Sequence, residues 1–165
     1  MPRFGVVGAT GAVGRIAVDV LGERGFDDVR VFASARSAGA ELDGRVVEEA
    51  TPEALSAGGL DVCLFSVGAR ASRELVPHAL RGGALCIDKS AAFRLEEGVP
   101  LVVPEVNGER ALEHKGVVAN PNCCTIPLTL VLKPLHEAAA LRAVRVATYQ
   151  SASGAGAQRL QRLLD

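Results

Sequence analysis

The sequence predicts a doubly wound α/β fold with a mostly parallel sheet. Short, apolar runs rich in β-branched residues alternate with stretches whose apolar residues repeat at helical spacing. Strands that are apolar along their whole length are typical of a parallel sheet covered by helices on both faces. The chain has 165 residues, of which 48% are hydrophobic and 22% charged. This length suffices for about one domain with a buried core.

The predicted elements alternate in the order that such a fold requires. The first strand is expected over residues 3–8, and residues 13–23 form a helix with Ile16, Ala17, Val20 and Leu21 on one face. Further strands are predicted at residues 29–33, 46–48, 62–66, 84–87, 101–103 and 117–119, with a helix at residues 71–80. A last helix is expected over residues 124–140. In it Pro127 fits the first turn and Pro134 should kink or shorten the helix.

The pattern changes near residue 141. Residues 144–150 alternate with a period of two, which is typical of a strand in a sheet covered on one face only. Leu160, Leu163 and Leu164 then begin an amphipathic helix. We therefore divide the chain into one domain over residues 1–141 and the truncated start of an α+β domain over residues 142–165. The chain is expected to be a fragment.

Composition and charge exclude several classes of function. Lys and Arg total 18 against 19 Asp and Glu, so no bulk positive field attracts nucleic acid. Aromatic residues make up 4% of the chain, too few to form platforms for single strands. We recognise no secretory signal, and no apolar run approaches the roughly 18 residues that a bilayer span needs. A soluble, cytoplasmic protein without a membrane partner is expected.

The four cysteines predict no metal site. Cys63, Cys86, Cys123 and Cys124 form neither a C-x-x-C pair nor a zinc-ligand spacing with the histidines. Cys63 and Cys86 lie inside apolar runs, where a thiol behaves as a small hydrophobic group.

A glycine-rich turn follows the first strand and opens the first helix. Its sequence is Gly8-Ala9-Thr10-Gly11-Ala12-Val13-Gly14, with the spacing G-x-x-G-x-x-G instead of the commoner G-x-G-x-x-G. Glycines allow a tight turn and close backbone approach, and the helix N-terminus offers N–H groups to a pyrophosphate. The turn predicts a dinucleotide site in a Rossmann-like domain, with a purely structural turn as the alternative.

The residues at the end of the second strand indicate which cofactor is bound. An NAD site usually carries an acidic residue roughly 20 residues after the turn, where it binds the ribose hydroxyls. This chain has Ser34-Ala35-Arg36-Ser37 at that point. A guanidinium and two hydroxyl groups suit a 2′-phosphate, so we expect NADP. An ordinary polar loop is the alternative.

Cys123 is the candidate nucleophile. It lies in Asn120-Pro121-Asn122-Cys123-Cys124-Thr125, between a strand and a long helix. The N–H groups and dipole of a helix N-terminus stabilise a thiolate and make it a usable nucleophile near neutral pH. Two buried structural cysteines are the alternative interpretation.

These segments together resemble the aspartate-β-semialdehyde dehydrogenase family. The resemblance covers essentially the whole chain in the family's order, and Asn120-Pro121-Asn122-Cys123 is its most specific part. N-acetylglutamyl phosphate reductases and glyceraldehyde-phosphate dehydrogenases fit less well around the cysteine. The other matching segments are residues 8–14, 34–37, 64–68, 88–90, 93–94, 103–107, 148–150 and 153–156.

The resemblance implies a phosphorylating, NADP-dependent aldehyde dehydrogenase. The Cys123 thiolate would attack aspartate semialdehyde, the hemithioacetal would pass hydride to NADP, and phosphate would cleave the thioacyl enzyme to aspartyl phosphate. Biosynthesis of lysine, threonine and methionine runs these steps in reverse. The full-length family members are expected to form homodimers.

The resemblance also assigns roles to particular residues. Gln150 would orient the substrate beside Cys123, and Arg94 would bind the substrate phosphate together with Asn122. The cofactor site would comprise Gly8, Thr10, Gly11, Ala12 and Val13 at the phosphates, Ser34, Arg36 and Ser37 at the 2′-phosphate, and Ser66, Ser153 and Gly154. Cys124 stands where many members have Ser or Thr, and Lys89 where many have Asn.

No histidine of the chain fits the general base that this chemistry needs. His136 lies 13 residues beyond Cys123, about 20 Å along a helix. His78 and His114 are expected at the surface. The base is therefore expected in a second half, and the chain alone should be inactive. The alternatives are a short NADP-binding relative, a nucleotide-sensing module and a related acyl-phosphate or malonyl-thioester reductase.

Overall fold

The computed structural model describes residues 1–150. The described backbone divides into two units, one over Met1–Asn122 and one from Cys123 onward, which we treat separately. The predicted domain boundary after residue 141 differs from this division and stays a prediction.

A six-stranded parallel sheet forms the centre of the first unit. The strands of the described residues are β1 (Phe4–Val7), β2 (Val29–Ala33), β3 (Glu41–Leu42), β4 (Arg45–Val46), β5 (Glu48–Glu49), β6 (Val62–Phe65), β7 (Leu85–Asp88) and β8 (Val117–Ala119). Six of them form the sheet in the order β5-β2-β1-β6-β7-β8, and each neighbouring pair is parallel. The chain order reverses at β1, so that β1 is flanked by β2 on one side and β6 on the other. This arrangement confirms the predicted doubly wound fold.

Helices cover both faces of this sheet. The helices are α1 (Ala12–Glu23), α2 (Pro52–Ser56), α3 (Ala69–Arg81), α4 (Pro104–Asn107) and α5 (Thr125–Ala139), and short 3₁₀ helices span Ala35–Ser37 and Gly108–Glu113. Helix α1 packs with Val6 and Val31, whereas α2 and α3 pack with Phe32 and Phe65 on the opposite face. Within residues 1–150, none of the helices combines the length and the apolar character needed to cross a membrane.

The buried face of α1 differs from the predicted one. Gly14, Val18 and Leu21 are buried, while Ile16 is 59% exposed and Val20 40% exposed. Gly14 determines this rotation, because the absence of its side chain lets the first turn of α1 lie directly against the backbone of the preceding loop. Hydrophobic periodicity gives no weight to a glycine, so the predicted face is correct for Ala17 and Leu21 and wrong for Ile16 and Val20.

Two predicted strands also take a different form. Residues 46–48 split, because Val46 pairs with Glu41 in an antiparallel hairpin whereas Glu48 pairs with Phe32 in the main sheet. The hairpin turns through Asp43 and Gly44, both at positive φ. Residues 101–103 make only an isolated parallel bridge, between Leu101 and Ala119.

The second unit begins with Cys123 and contains α5. This helix continues through Pro134 to Ala139, so the proline does not shorten it. Residues 141–150 contain no helix or strand, and the predicted strand over residues 144–150 is wrong for this structure. A strand needs a neighbour for its N–H and C=O groups, and none of the described residues pairs with this segment.

Candidate functional site

The carboxyl ends of β1, β2 and β6 meet at one edge of the sheet. The Gly8 N–H donates to the Phe32 carbonyl oxygen at 2.8 Å, and the Ser66 N–H donates to the Val7 carbonyl oxygen at 2.8 Å. The structure therefore brings the glycine turn (residues 8–14), the segment after β2 and Ser66 to the point where strand order reverses. Ligands of doubly wound folds bind at such a point.

The glycine turn has its shape because two of its residues have no side chain. Gly8 has φ +86°, and a Cβ there would lie 2.4 Å from the Ser66 carbonyl oxygen. A Cβ on Gly14 would lie 2.1 Å from the Gly8 carbonyl oxygen. Both contacts are with backbone, which cannot turn away as a side chain can. Glycine is therefore required at the two ends of the turn.

The turn presents unpaired backbone donors. Gly11 is the N-cap of α1, and the first turn of this helix contains no acidic residue. Within the described residues, the N–H groups of Thr10, Ala12 and Val13 donate to no acceptor. Such N–H groups, together with the positive end of the helix dipole, fit the phosphate oxygens of a dinucleotide.

Arg36 lies exposed in the 3₁₀ helix Ala35–Ser37, directly after β2. It makes no hydrogen bond or ion pair within residues 1–150. Ser34 precedes it, and the Ser34 hydroxyl does not cap the turn. The guanidinium and the neighbouring hydroxyl are therefore available to an anion.

The carboxylate of Glu48 on the adjacent strand β5 is already paired. Arg30 donates to it twice, from Nε to Oε1 at 2.8 Å and from Nη2 to Oε2 at 2.6 Å. The hydrogen bond from Arg30 lowers the pKa of Glu48, and the same bond raises the pKa of Arg30. This pair joins the edge strand to β2.

Arg94 lies beside the carboxyl ends of β7 and β8. Its Nε donates to the Asn120 carbonyl oxygen at 2.9 Å, and its Nη2 donates to the Lys89 carbonyl oxygen at 2.9 Å. These two bonds fix the plane of the guanidinium. Its Nη1 makes no hydrogen bond within the described residues, so a planar cation is available at this edge for a phosphate or carboxylate.

A buried carboxylate at the end of β7 has no role in the sequence-based prediction. Asp88 ends β7 with 0% of its surface exposed and accepts hydrogen bonds from the hydroxyls of Ser72 and Ser90. Ser72 is also fully buried, on α3. The signal in the sequence is an acidic residue that ends an otherwise apolar strand.

The remaining predicted site residues lie at or beyond the end of the first unit. Asn122 is half-buried at its end, and in the second unit Cys123 is exposed just before Cys124, the N-cap of α5. Gln150 Nε2 donates to Cys124 Sγ at 2.8 Å, which places the amide beside the neighbour of the candidate nucleophile. The predicted cofactor residues Ser153 and Gly154 lie outside the described residues.

The other two cysteines are buried, as expected. Cys63 and Cys86 are both 0% exposed and lie opposite each other on β6 and β7. Burial raises the pKa of Cys86 to about 12 and raises that of Cys63 well above its usual range. Both thiols stay protonated and pack as small hydrophobic groups.

The histidines differ in their surroundings. His114 and His136 are exposed. His78 is half-buried, with its Nδ1 accepting from Arg81 Nη2 at 2.5 Å and lying 3.4 Å from Ser56 Oγ, so it is less solvated than the sequence predicts. In residues 1–150 no three His, Cys, Asp or Glu side chains are grouped to hold a metal ion.

Comparison with known proteins agrees with this geometry. Residues 3–114 match the family described as "Semialdehyde dehydrogenase, NAD binding domain". The aspartate-semialdehyde dehydrogenase of Streptomyces akiyoshiensis is 49% identical over 93% of this chain and 46% of its own length.

Solved structures give the same result. Aspartate semialdehyde dehydrogenase II of Vibrio cholerae has a TM-score of 0.87 and 38% identity, covering 99% of this chain and 51% of that one. The Candida albicans aspartate semialdehyde dehydrogenase with NADP has a TM-score of 0.64 and 26% identity, covering 84% of this chain and 47% of that one.

The matches extend over most of this chain but only part of each relative. The chain spans about half the length of the curated relatives it matches. The matched family domain covers the β1, β2, β6 and β7 strands, the glycine turn and Arg94. The resemblance inferred from the motifs is confirmed, and the chain belongs to the semialdehyde dehydrogenase family.

Proposed function

We propose that the chain is the NADP-binding and nucleophile-bearing part of an aspartate-semialdehyde dehydrogenase. The observation that carries the proposal is the exposed Cys123 thiol, directly ahead of α5, in a chain whose first unit is a dinucleotide-binding domain of this family. The relatives named above carry that activity in their names.

Nine described residues around the glycine turn would hold the cofactor. The turn has room for phosphate oxygens because no Cβ fills it at Gly8 or Gly14. Held there, the cofactor would supply hydride chemistry for the carbon bonded to the Cys123 sulfur. The Candida relative that contains NADP supports this choice over NAD, as does the unpaired Arg36. The residues are Gly8, Thr10, Gly11, Ala12 and Val13 at the pyrophosphate, Ser34, Arg36 and Ser37 at the 2′-phosphate, and Ser66.

Cys123 would form and break the covalent bond. In the biosynthetic direction its thiolate attacks the acyl carbon of aspartyl phosphate, a C–S bond forms, and the C–O bond to phosphate breaks. After reduction, the C–S bond breaks, the aldehyde leaves and the thiolate is regenerated. The N–H groups in the first turn of α5 would face the sulfur and favour its anionic form in both steps.

Arg94, Asn122 and Gln150 would hold the substrate. Arg94 has a guanidinium already oriented by two backbone carbonyls, and its free Nη1 suits the leaving phosphate. The Gln150 amide, which contacts Cys124, would orient the substrate beside the nucleophile. In this proposal the general base, further binding residues and the surface of a homodimer belong to the rest of the protein. That protein would serve lysine, threonine and methionine biosynthesis.

Alkylation of the thiols tests the proposal. Iodoacetamide is added to the 165-residue chain across a pH series, and mass spectrometry follows modification at each cysteine. We expect Cys123 to react before the other thiols, and faster than a thiol in an unstructured peptide, because its side chain is exposed directly ahead of α5. Cys124→Ser should leave that rate unchanged and serves as the matched control.

Slow modification of Cys123, at a rate no greater than that of a thiol in an unstructured peptide, would contradict a nucleophilic role. It would favour a cofactor-binding relative without catalysis. We also expect the chain alone to form negligible NADPH from the semialdehyde and phosphate. Substantial turnover would show that the base lies within these residues.

A further inference from the structure

The carboxylate of Asp88 is fully buried and fully engaged. Ser72 Oγ donates to Oδ1 at 2.7 Å, Ser90 Oγ donates to Oδ2 at 2.6 Å, and the Ser90 N–H donates to Oδ1 at 3.2 Å. Burying a carboxylate is costly, and replacing buried charged groups by well-packed apolar side chains is often neutral or stabilising. The position of this group therefore calls for a reason beyond stability.

Asp88 holds the first half of the Arg94 loop (residues 89–94). The Ser90 hydroxyl that donates to Asp88 also accepts from the Ala92 N–H at 3.0 Å. Arg73 of α3 donates to the Ala92 carbonyl oxygen at 2.6 Å and lies over the Phe93 ring at 5.9 Å. The loop is thus fixed by polar contacts at both Ser90 and Ala92.

Both acceptors that orient Arg94 depend on the same residue. The Lys89 carbonyl belongs to the Lys89–Ser90 peptide, whose N–H donates to Asp88 Oδ1 at 3.2 Å. The Asn120 carbonyl belongs to a residue whose N–H donates to the Asp88 carbonyl oxygen at 2.8 Å. The Asp88 side chain fixes one acceptor through Ser90, and its main chain fixes the other through Asn120.

We propose that Asp88 is a positioning residue for Arg94: through Ser90, its buried carboxylate fixes the loop so that the guanidinium is oriented to receive a phosphate group. This inference rests on the proposed role of Arg94 in phosphate binding. Asp88 does not touch the phosphate. Ser90 connects it to the loop, and Ser72 holds the other carboxylate oxygen.

Titration with inorganic phosphate tests this role. The ¹⁵N-labelled chain is titrated, and the Nε–Hε resonance of Arg94 is followed after assignment by its loss in Arg94→Ala. We expect Asp88→Asn and Ser90→Ala to shift this resonance before phosphate is added. Both should weaken the phosphate response about three- to tenfold. The Ala12 and Val13 amides report the glycine turn in the same spectra and should respond as in the wild type.

Two further variants separate positioning from folding. Ser90→Thr keeps the hydroxyl and should restore both the resonance and the affinity. Ser56→Ala is the matched control, because it removes a half-buried serine hydroxyl that donates to the Pro52 carbonyl oxygen far along the chain. It should change neither readout.

The outcomes distinguish the inference from the proposed function. A phosphate response at Arg94 that is unchanged in folded Asp88→Asn and Ser90→Ala overturns the inference and leaves the role of Arg94 intact. No response at Arg94 in the wild-type chain overturns both. If Asp88→Asn does not fold, the Ser90 variants alone test the inference. A weakened response in Ser90→Ala that Ser90→Thr restores supports it, and an unchanged response in Ser90→Ala overturns it.

Discussion

The glycine turn and the Arg94 loop are the two proposed phosphate-binding elements, and they are constructed in opposite ways. The turn would bind through backbone N–H groups, and its shape depends on side chains that are absent at Gly8 and Gly14. The loop would bind through a cationic side chain, and its shape depends on polar atoms that are present on Asp88 and Ser90. Adding an atom should therefore damage the turn, whereas removing one should damage the loop.

The largest effect is expected from Gly14→Ala. The new Cβ would lie 2.1 Å from the Gly8 carbonyl oxygen, so α1 must shift away from the turn. We expect a loss of more than about 3 kcal/mol of unfolding free energy, as for severe overpacking, together with loss of cofactor binding. Urea denaturation and calorimetric titration with NADP measure the two effects.

Gly22→Ala in the same helix is the matched control. A Cβ there meets nothing within 4 Å, and helical Ala is favoured over Gly. This variant should gain about 0.5–1 kcal/mol. Equal unfolding free energies and NADP affinities in Gly14→Ala and Gly22→Ala would mean that the turn tolerates a side chain.

The second effect concerns the loop and its buried carboxylate. Ser72→Ala removes the hydroxyl that donates to Asp88 Oδ1 at 2.7 Å, in a site where no solvent replaces it. We expect a loss of about 1–3 kcal/mol in the unfolding free energy. Ser56→Ala, measured beside it by urea denaturation, should lose clearly less. A Ser72→Ala variant as stable as the wild type would show that the buried pair is dispensable.

Arg36→Ala should affect binding and leave stability unchanged. The exposed guanidinium makes no contact within the described residues, so the fold loses nothing when it is removed. We expect the affinity for NADP to fall about tenfold or more, the value of a charge-assisted contact, and the affinity for NAD to stay the same. Calorimetric titration with both cofactors measures this, and equal affinities in the wild type would contradict NADP selectivity.

The smallest effect is expected from a partly exposed ion pair, which serves as a comparison for the buried carboxylate of Asp88. Glu48→Gln removes the pair with Arg30, whose side chains are 35% and 38% exposed. We expect a loss of about 0.5–1 kcal/mol near pH 7.

The contribution of the Arg30–Glu48 pair to stability should depend on pH. Because folding lowers the pKa of Glu48, the contribution is present above the ordinary value of 4.5 and is lost as pH falls through the folded pKa. Urea denaturation between about pH 7 and pH 3 should show the variant and the wild type converging in acid. A constant difference at all pH values would contradict an electrostatic origin.

The sequence predicts features that local pattern determines. The positions of β2 and α3, and the burial of Cys63 and Cys86, follow from apolar runs and helical spacing. The glycine turn is recognisable because its residues are consecutive.

Features that depend on distant contacts are missed. The rotation of α1 depends on how closely Gly14 approaches Gly8, and the role of Asp88 depends on Ser72, which is 16 residues away. The split between β4 and β5 depends on which neighbour each strand finds. The alternation over residues 144–150 correctly describes a strand pattern, but a strand forms only beside a partner.

The two buried cysteines provide natural probes for the opening of the core. Cys63 and Cys86 lie on adjacent central strands without access to solvent, and their raised pKa values keep them protonated. A thiol reagent can modify them only after β6 and β7 separate from the helices that cover them. Their labelling rate therefore measures the free energy of that opening without any engineered probe.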